Sequence, residues 1–394
     1  MKRVIPGLLI PVALGLVSVI AYLPLPIPYH LDFLAIYHAD LGVLRGIQLY
    51  DLTGQVDMIA ELANVTPEQV SLLPFVYPPW YALLTLPLAL LPIDIAARTW
   101  FAINFLLLMA FVWLVTGSWP AHRRAISFLL AILFLPVLGA LYVGQFVFPV
   151  LLGAGMLVYT LPRERVWLTA IGLFLLTFKP HVGGLVFLAI IVHLLFERIP
   201  FARRALWATG AILLLLFAAS FFVDSAWPVH YFETLFGFRD ISPCTGSCIS
   251  LPLAIVSFLG LSSASSVWVA CILLVGWIGW FIGSRPGIWK DARRLIAAGF
   301  CITLSSSPYQ YNYDFVVLLV PLAVLASKAQ NRFDWFWLAL AYLLPWGGLI
   351  FGRAGNLVLL ISTFGLMYLL WHRSSLLDVH SQAMYNQQNK LREE

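Results

Sequence analysis

Pro78-Pro79-Trp80-Tyr81-Ala82-Leu83-Leu84-Thr85-Leu86-Pro87-Leu88-Ala89-Leu90-Leu91-Pro92 is the stretch on which the threading of this chain turns. It is apolar enough to resemble a membrane helix but has only about 15 residues, where a helix needs roughly 20 to cross the hydrocarbon. Charge decides between the two readings. If the stretch crossed, Arg123 and Arg124 would fall outside and every later loop would invert. If it lies along the interface or re-enters, 18 of the 23 Lys and Arg collect on one side: Lys2/Arg3, Arg123/Arg124, Arg163/Arg165, Arg198/Arg203/Arg204, Arg285/Lys290/Arg293/Arg294, Lys328/Arg332 and Arg373/Lys390/Arg392. That is the cytoplasmic bias expected of membrane proteins. Residues 78–92 are therefore read as a juxtamembrane or re-entrant helix, and 251–260 likewise.

Composition agrees. Of 394 residues 61% are hydrophobic and 10% charged, against about 25% charged in soluble domains, which excludes a soluble fold. The net charge of +5 comes from Lys and Arg spread singly and in pairs between apolar runs, so no nucleic-acid partner is expected. Four cysteines make no disulfide framework, and Cys244 and Cys248, the only near pair, leave a local bridge open.

The apolar runs read as spanning are 5–24, 96–116, 125–143, 146–161, 166–178, 182–196, 205–223, 266–284, 294–305, 314–327, 334–351 and 355–371. The expectation is an all-α polytopic bundle of about 12 transmembrane helices. It forms a single domain over 1–372, with an external loop at 25–95 containing juxtamembrane helices and a polar cytoplasmic tail at 373–394. The first apolar run lacks a small-residue cleavage site and reads as an uncleaved helix. Both termini fall in the cytoplasm.

The uncommon polar residues gather on the opposite face. In the long first loop, residues 30–44 carry Asp32, His38 and Asp40 among apolar residues at helical spacing, which predicts an amphipathic helix on the membrane surface. Asp32 stands where a carboxylate can cap that helix. Gly144-Gln145 forms a polar break between apolar helices, read either as a turn or as a close approach to ligand. Lys179-Pro180-His181 puts a cation at the membrane edge, where it marks a site or snorkels to lipid phosphate. Ser305 to Asp314 is a run of hydroxyls, amides and aromatics that suits an interfacial belt or a saccharide pocket equally. Arg353 is a second external cation, and Arg45, Arg98 and Arg239 complete the exceptions to the charge bias. One acid, two or three cations and an aromatic-polar lining on one face suit transfer from a lipid-linked phosphate, with a carboxylate base and cations for the leaving group.

The ordered set Asp32-Phe33 with Tyr37, Gly46-Ile47-Gln48-Leu49-Tyr50-Asp51, Tyr77-Pro78-Pro79, Gly144-Gln145, Lys179-Pro180, Ser307-Pro308-Tyr309 and Tyr313-Asp314 resembles glycosyltransferase family 87. The resemblance runs from about residue 30 to 330. It implies the GT-C membrane fold and an inverting transfer of one sugar, mannose in the family's named members, from a polyprenyl monophosphate. The acceptor is a lipid or glycan hydroxyl on the extracytoplasmic face of the cell membrane, and membrane lipids are the remaining partners. Asp32 occupies the position of the family's general base. Lys179, His181 and Arg353 are candidates for the donor phosphate, and Tyr37, Tyr77, Gln145, Tyr309, Gln310 and Asp314 for the sugar and acceptor pocket. The resemblance implies no cofactor and no metal, and no Asp-x-Asp motif is present. In the family's mannosyltransferases the late motif often carries His where this chain has Tyr313-Asp314. A transporter or flippase of a lipid-linked saccharide is the rival reading of the same broken helices and membrane cations.

Overall fold

The computed structural model describes residues 31–197, 199–241, 248–284, 291–348 and 358–372. The run 5–24, Arg353, Cys244 and the tail 373–394 lie outside them. Among the described residues the chain is helical, with no strand. In order come α1 (Leu31–Leu44), α2 (Leu52–Ala63), α3 (Pro79–Thr85), α4 (Ile93–Val115), α5 (Ala121–Ile132), α6 (Leu135–Val143), α7 (Val147–Thr160), α8 (Val166–Leu176) and α9 (Pro180–Glu197). There follow α10 (Pro200–Ala219), α11 (Trp227–Ile241), α12 (Leu251–Phe258), α13 (Ser266–Ser284), α14 (Ala292–Ser306), α15 (Leu319–Ala326), α16 (Arg332–Leu343) and α17 (Val358–His372). Cys248 is disulfide-bonded, while Cys271 and Cys301 are free thiols.

Four helices are long and apolar enough to cross a membrane, or five if α5 and α6 count as one span bent by 56°. The bend falls where Pro136 enters the first turn of α6, because proline removes one backbone donor and clashes with the preceding turn. α7 and α8, of 14 and 11 residues, fall short of the roughly 20 residues of an ordinary lipid-facing span. α7 lies inside the protein. In α7 every residue but Leu152 and Tyr159 is buried, and α14 is buried continuously from Arg294 to Ser306. Helices apolar all round belong in a core. α4 and α8 pack on α7, α9 and α15 on α14, and α10 on α8.

Residues 78–92 form α3 followed by a 3-10 helix at Leu86–Leu90, in keeping with the short segment predicted. The helix at 30–44 departs from expectation. α1 does not lie on a surface: Phe33, Ile36, Tyr37, Ala39 and Asp40 are all buried, and it packs against α2, α3, α4, α6 and the 3-10 turn Leu86–Leu90. Its apolar residues ring the helix rather than forming one stripe, so it buries on most sides. The hydroxyl of Tyr37 donates to the Leu91 carbonyl at 2.8 Å and ties α1 to the start of α4.

Candidate active site

Asp32 lies in the first turn of α1, but its carboxylate is engaged away from the helix. The side-chain amide of Gln145 donates to Asp32 Oδ2 at 2.7 Å. Gln145 stands where α6 gives way to α7. Gly144, at φ 72, takes the left-handed conformation that closes α6, one that glycine adopts without the Cβ penalty. The chain then turns Gln145 inward, where it is 2% exposed. Two bonds fix its amide: the Phe146 backbone N–H donates to Oε1 at 3.0 Å, and Lys179 Nζ donates to the same oxygen at 2.9 Å.

Lys179 sits at the break between α8 and α9. Pro180 opens α9, and the Lys179 carbonyl accepts from the Val182 and Gly183 amides at 2.9 Å each. The two helices come so close that a Cβ on Gly183 would overlap the Leu176 carbonyl. The Lys179 side chain is buried and pairs with Asp314 Oδ1 at 2.5 Å, and its ammonium stands 4.8 Å above the Tyr313 ring. Asp314 opens a 3-10 helix, Asn312–Leu318, where its Oδ2 accepts the Tyr311 amide at 2.9 Å. His181 Nε2 lies 3.8 Å from the same oxygen on a side chain 39% exposed. The polar cluster therefore runs Asp32, Gln145, Lys179, Asp314 and His181. It is assembled from the first turn of α1 and from three breaks between apolar helices.

Burial pushes the Asp32 carboxyl above the ordinary carboxylate range, against the pull of Lys179 and of the Gln145 bond, while the charge on Asp314 adds to the rise. Tyr77 stands beside the Gln145 amide within the field of both carboxylates. Its ring packs 4.9 Å from that of Phe146, and the Tyr50 hydroxyl donates to its carbonyl at 2.8 Å. Tyr309 meets Tyr311 edge to face at 5.4 Å, Tyr311 stacks on Tyr313 at 5.2 Å, and Tyr309 lies 6.4 Å from the His181 ring. They thus line the cluster's edge. Gln310 is buried, but its amide nitrogen donates to the Leu304 carbonyl and its own carbonyl accepts the Ile249 amide at 2.9 Å, so it braces the loop. Tyr37, committed to Leu91, likewise anchors α1. Of the basic residues that stood outside the charge bias, Arg98 has a local reason, an ion pair with Asp94 one turn away at 3.0 Å.

Two contributors were not singled out by their sequence. Asn104, buried in the middle of α4, donates to the Gln145 carbonyl at 3.3 Å, and Trp100 donates its indole N–H to the Gly144 carbonyl at 2.8 Å. Together they hold the break that carries Gln145. A lone amide inside the apolar run of α4 was the available signal, since polar groups in such helices find specific partners.

The family model for glycosyltransferase family 87 matches residues 75–308, over half of the chain. The chain belongs to glycosyltransferase family 87. It is therefore a membrane glycosyltransferase, with a sugar donor and an acceptor. The matched residues include Tyr77, Gln145, Lys179 and His181 and end just before Tyr309; Asp32 and Asp314 lie beyond either end, joined to the matched part by the bonds described above. Comparisons with curated proteins and with solved structures gave no match.

Proposed function

We propose that this glycosyltransferase moves one sugar, mannose, from a polyprenyl monophosphate to an acceptor hydroxyl on the extracytoplasmic face, with inversion and with Asp32 as the general base. The twelve crossings and cytoplasmic termini read from the charge distribution belong to the same proposal. The observation that carries it is the shared amide of Gln145, which receives Lys179 on its oxygen and donates to Asp32 from its nitrogen. A base and a cation are thereby held a fixed distance apart by one rigid group, as a displacement at a sugar carbon between an incoming hydroxyl and a departing phosphate requires.

In the reaction the Asp32 carboxylate takes the acceptor hydroxyl proton as the oxygen attacks the anomeric carbon. The bond from that carbon to the phosphate oxygen breaks, and the phosphate leaves with both electrons. An ammonium has three N–H donors, and Lys179 commits two, to Gln145 and Asp314. The third is available to the leaving oxygen, with His181 as a second donor at the exposed margin. Asp314 pairs with Lys179 in a buried setting, where a lone charge would be costly. The tyrosines of 309–313 supply rings for a sugar face and hydroxyls for its polar edge.

The test is purified protein with labelled polyprenyl-phosphate mannose and membrane lipid, following transfer of label and the anomeric configuration of the product. Transfer with inversion that Asp32→Asn abolishes supports the reading. Transfer at the wild-type rate by Asp32→Asn removes the base.

A further inference from the structure

At the end of the bundle away from Asp32, a groove of about 690 Å³ opens between α4, α5, α15 and α16. Its walls come from stripes at helical spacing. On α5 they run from Arg123 through Ile126 and Leu130 to Ala131, and on α16 from Trp335 through Leu338 to Leu343, with a matching stripe on α15. Apolar stripes at i, i+3, i+4 and i+7 are the faces by which helices pack, and close-packed interiors leave few voids larger than a water. Here the stripes face one another across space. They meet at the groove's inner end, where Tyr342 donates to the Leu130 carbonyl at 2.9 Å and stacks 5.5 Å from Phe134. The remaining wall hydroxyls are satisfied within their own helices: Thr116 donates to the Val112 carbonyl and Ser127 to that of Arg123. The cavity therefore offers hydrocarbon contact along its length and one unspent charge at its mouth.

That charge is Arg123. Its neighbour Arg124 is consumed in closing α4, donating to the carbonyls of Thr116 and Gly117 and lying 4.6 Å over the Trp113 ring. Arg123 faces the groove, and its guanidinium has no hydrogen bond or ion pair among the described residues. We propose that the groove binds an anionic phospholipid, with a chain laid between the α5 and α16 stripes and the phosphate on Arg123. Along α4 the Thr116 end lies about 18 Å from Asn104, which supports Gln145 at the catalytic cluster. The phosphate at Arg123 therefore belongs to a lipid of the opposite leaflet and not to a donor held on Lys179.

Native mass spectrometry of the full-length protein, with phosphatidylglycerol, phosphatidylcholine of the same chains and a polyprenyl monophosphate as probes, tests this. Wild type is expected to retain phosphatidylglycerol about fivefold better than phosphatidylcholine, the size of one basic side chain's attraction to an anionic surface. Arg123→Gln removes that preference, while Arg332→Gln, a neighbouring exposed cation outside the groove, keeps it. Ala339→Trp, which fills the groove from α16, reduces retention of both phospholipids. Equal retention of the two by wild type, indistinguishable Arg123→Gln and Arg332→Gln proteins, displacement of phosphatidylglycerol by the polyprenyl monophosphate, or dimers that Ala339→Trp dissolves would each overturn the proposal. Sugar transfer by the same preparations reads the Asp32 mechanism separately, and Arg123→Gln leaves it intact.

Discussion

Two Lys–Asp pairs stand at opposite ends of this molecule, and they do different things. Lys179 and Asp314 meet at 2.5 Å with side chains 4% and 1% exposed. Lys328 and Asp291 meet at 2.8 Å with side chains 35% and 31% exposed. Asp291 caps α14, accepting the Arg293 amide at 3.1 Å and pairing with Arg294 in the next turn. Against the cost of partial burial, Lys328 and then Arg294 hold its carboxyl below the ordinary range. Every group there serves the helix end. The Lys179 pair instead reaches a second carboxylate through Gln145, and burial pushes that carboxylate up against their pull. A local charge cluster stabilises itself, whereas one assembled across helix breaks can keep a carboxylate poised to accept a proton.

The largest effect expected is on Asp32. Asp32→Asn should lower the transfer rate by about 10² to 10⁴ while the melting temperature barely moves, and a large melting shift would recast Asp32 as structural. Lys179→Met should follow, because it strands the Asp314 charge in the interior at a cost of about 3–5 kcal/mol and removes a donor to the phosphate. The double variant Lys179→Met/Asp314→Asn should recover most of the melting temperature and none of the transfer; recovery of both would mean that the pair serves only stability.

Gln145→Leu is expected to move the pH profile more than the maximal rate. The base works deprotonated, so activity falls as pH drops through its pKa. Burial raises that pKa, and the Gln145 bond lowers it, so the acid limb of wild type should lie above the usual carboxylate value of about 3.9 and that of the variant higher still. A limb unchanged or lower in the variant would break the link between the two side chains. Smallest is Asp291→Ala, expected to cost about 1 kcal/mol as a lost helix cap with transfer preserved at neutral pH. Because the folded-state pKa of Asp291 is depressed, its contribution is present above the unfolded carboxylate value and lost as pH falls toward the folded one, so the variant's melting temperature should converge on wild type in acid.

Much of the fold was legible because lipid imposes simple rules. Apolar length marked the helices, and the shortness of the helical stretch within 78–92 was visible in the same way. The bend between α5 and α6 was not read, since 125–143 ran on as one apolar stretch and Pro136 falls inside it. What misled was α1, whose Asp32, His38 and Asp40 read as a polar face although the helix is buried on most sides. The polar residues at the breaks, Gln145, Lys179 and Asp314, were visible as exceptions in apolar surroundings. That Gln310 and Tyr37 spend their polar groups on backbone carbonyls was not, since residue type does not say which way a side chain bonds.

Sequence by itself determined that this is a helical membrane protein and which residues were too polar to stand in it without a reason, because the transfer cost of a charge or amide into hydrocarbon is a property of the residue. Tertiary structure decided which of them meet. Asp32, Gln145, Lys179 and Asp314 are separated by 113, 34 and 135 positions, and only the packing of α1, α7, α9 and α14 brings them within hydrogen-bond reach. Hydrogen bonds and ion pairs act over a few ångströms in space, whatever the distance along the chain.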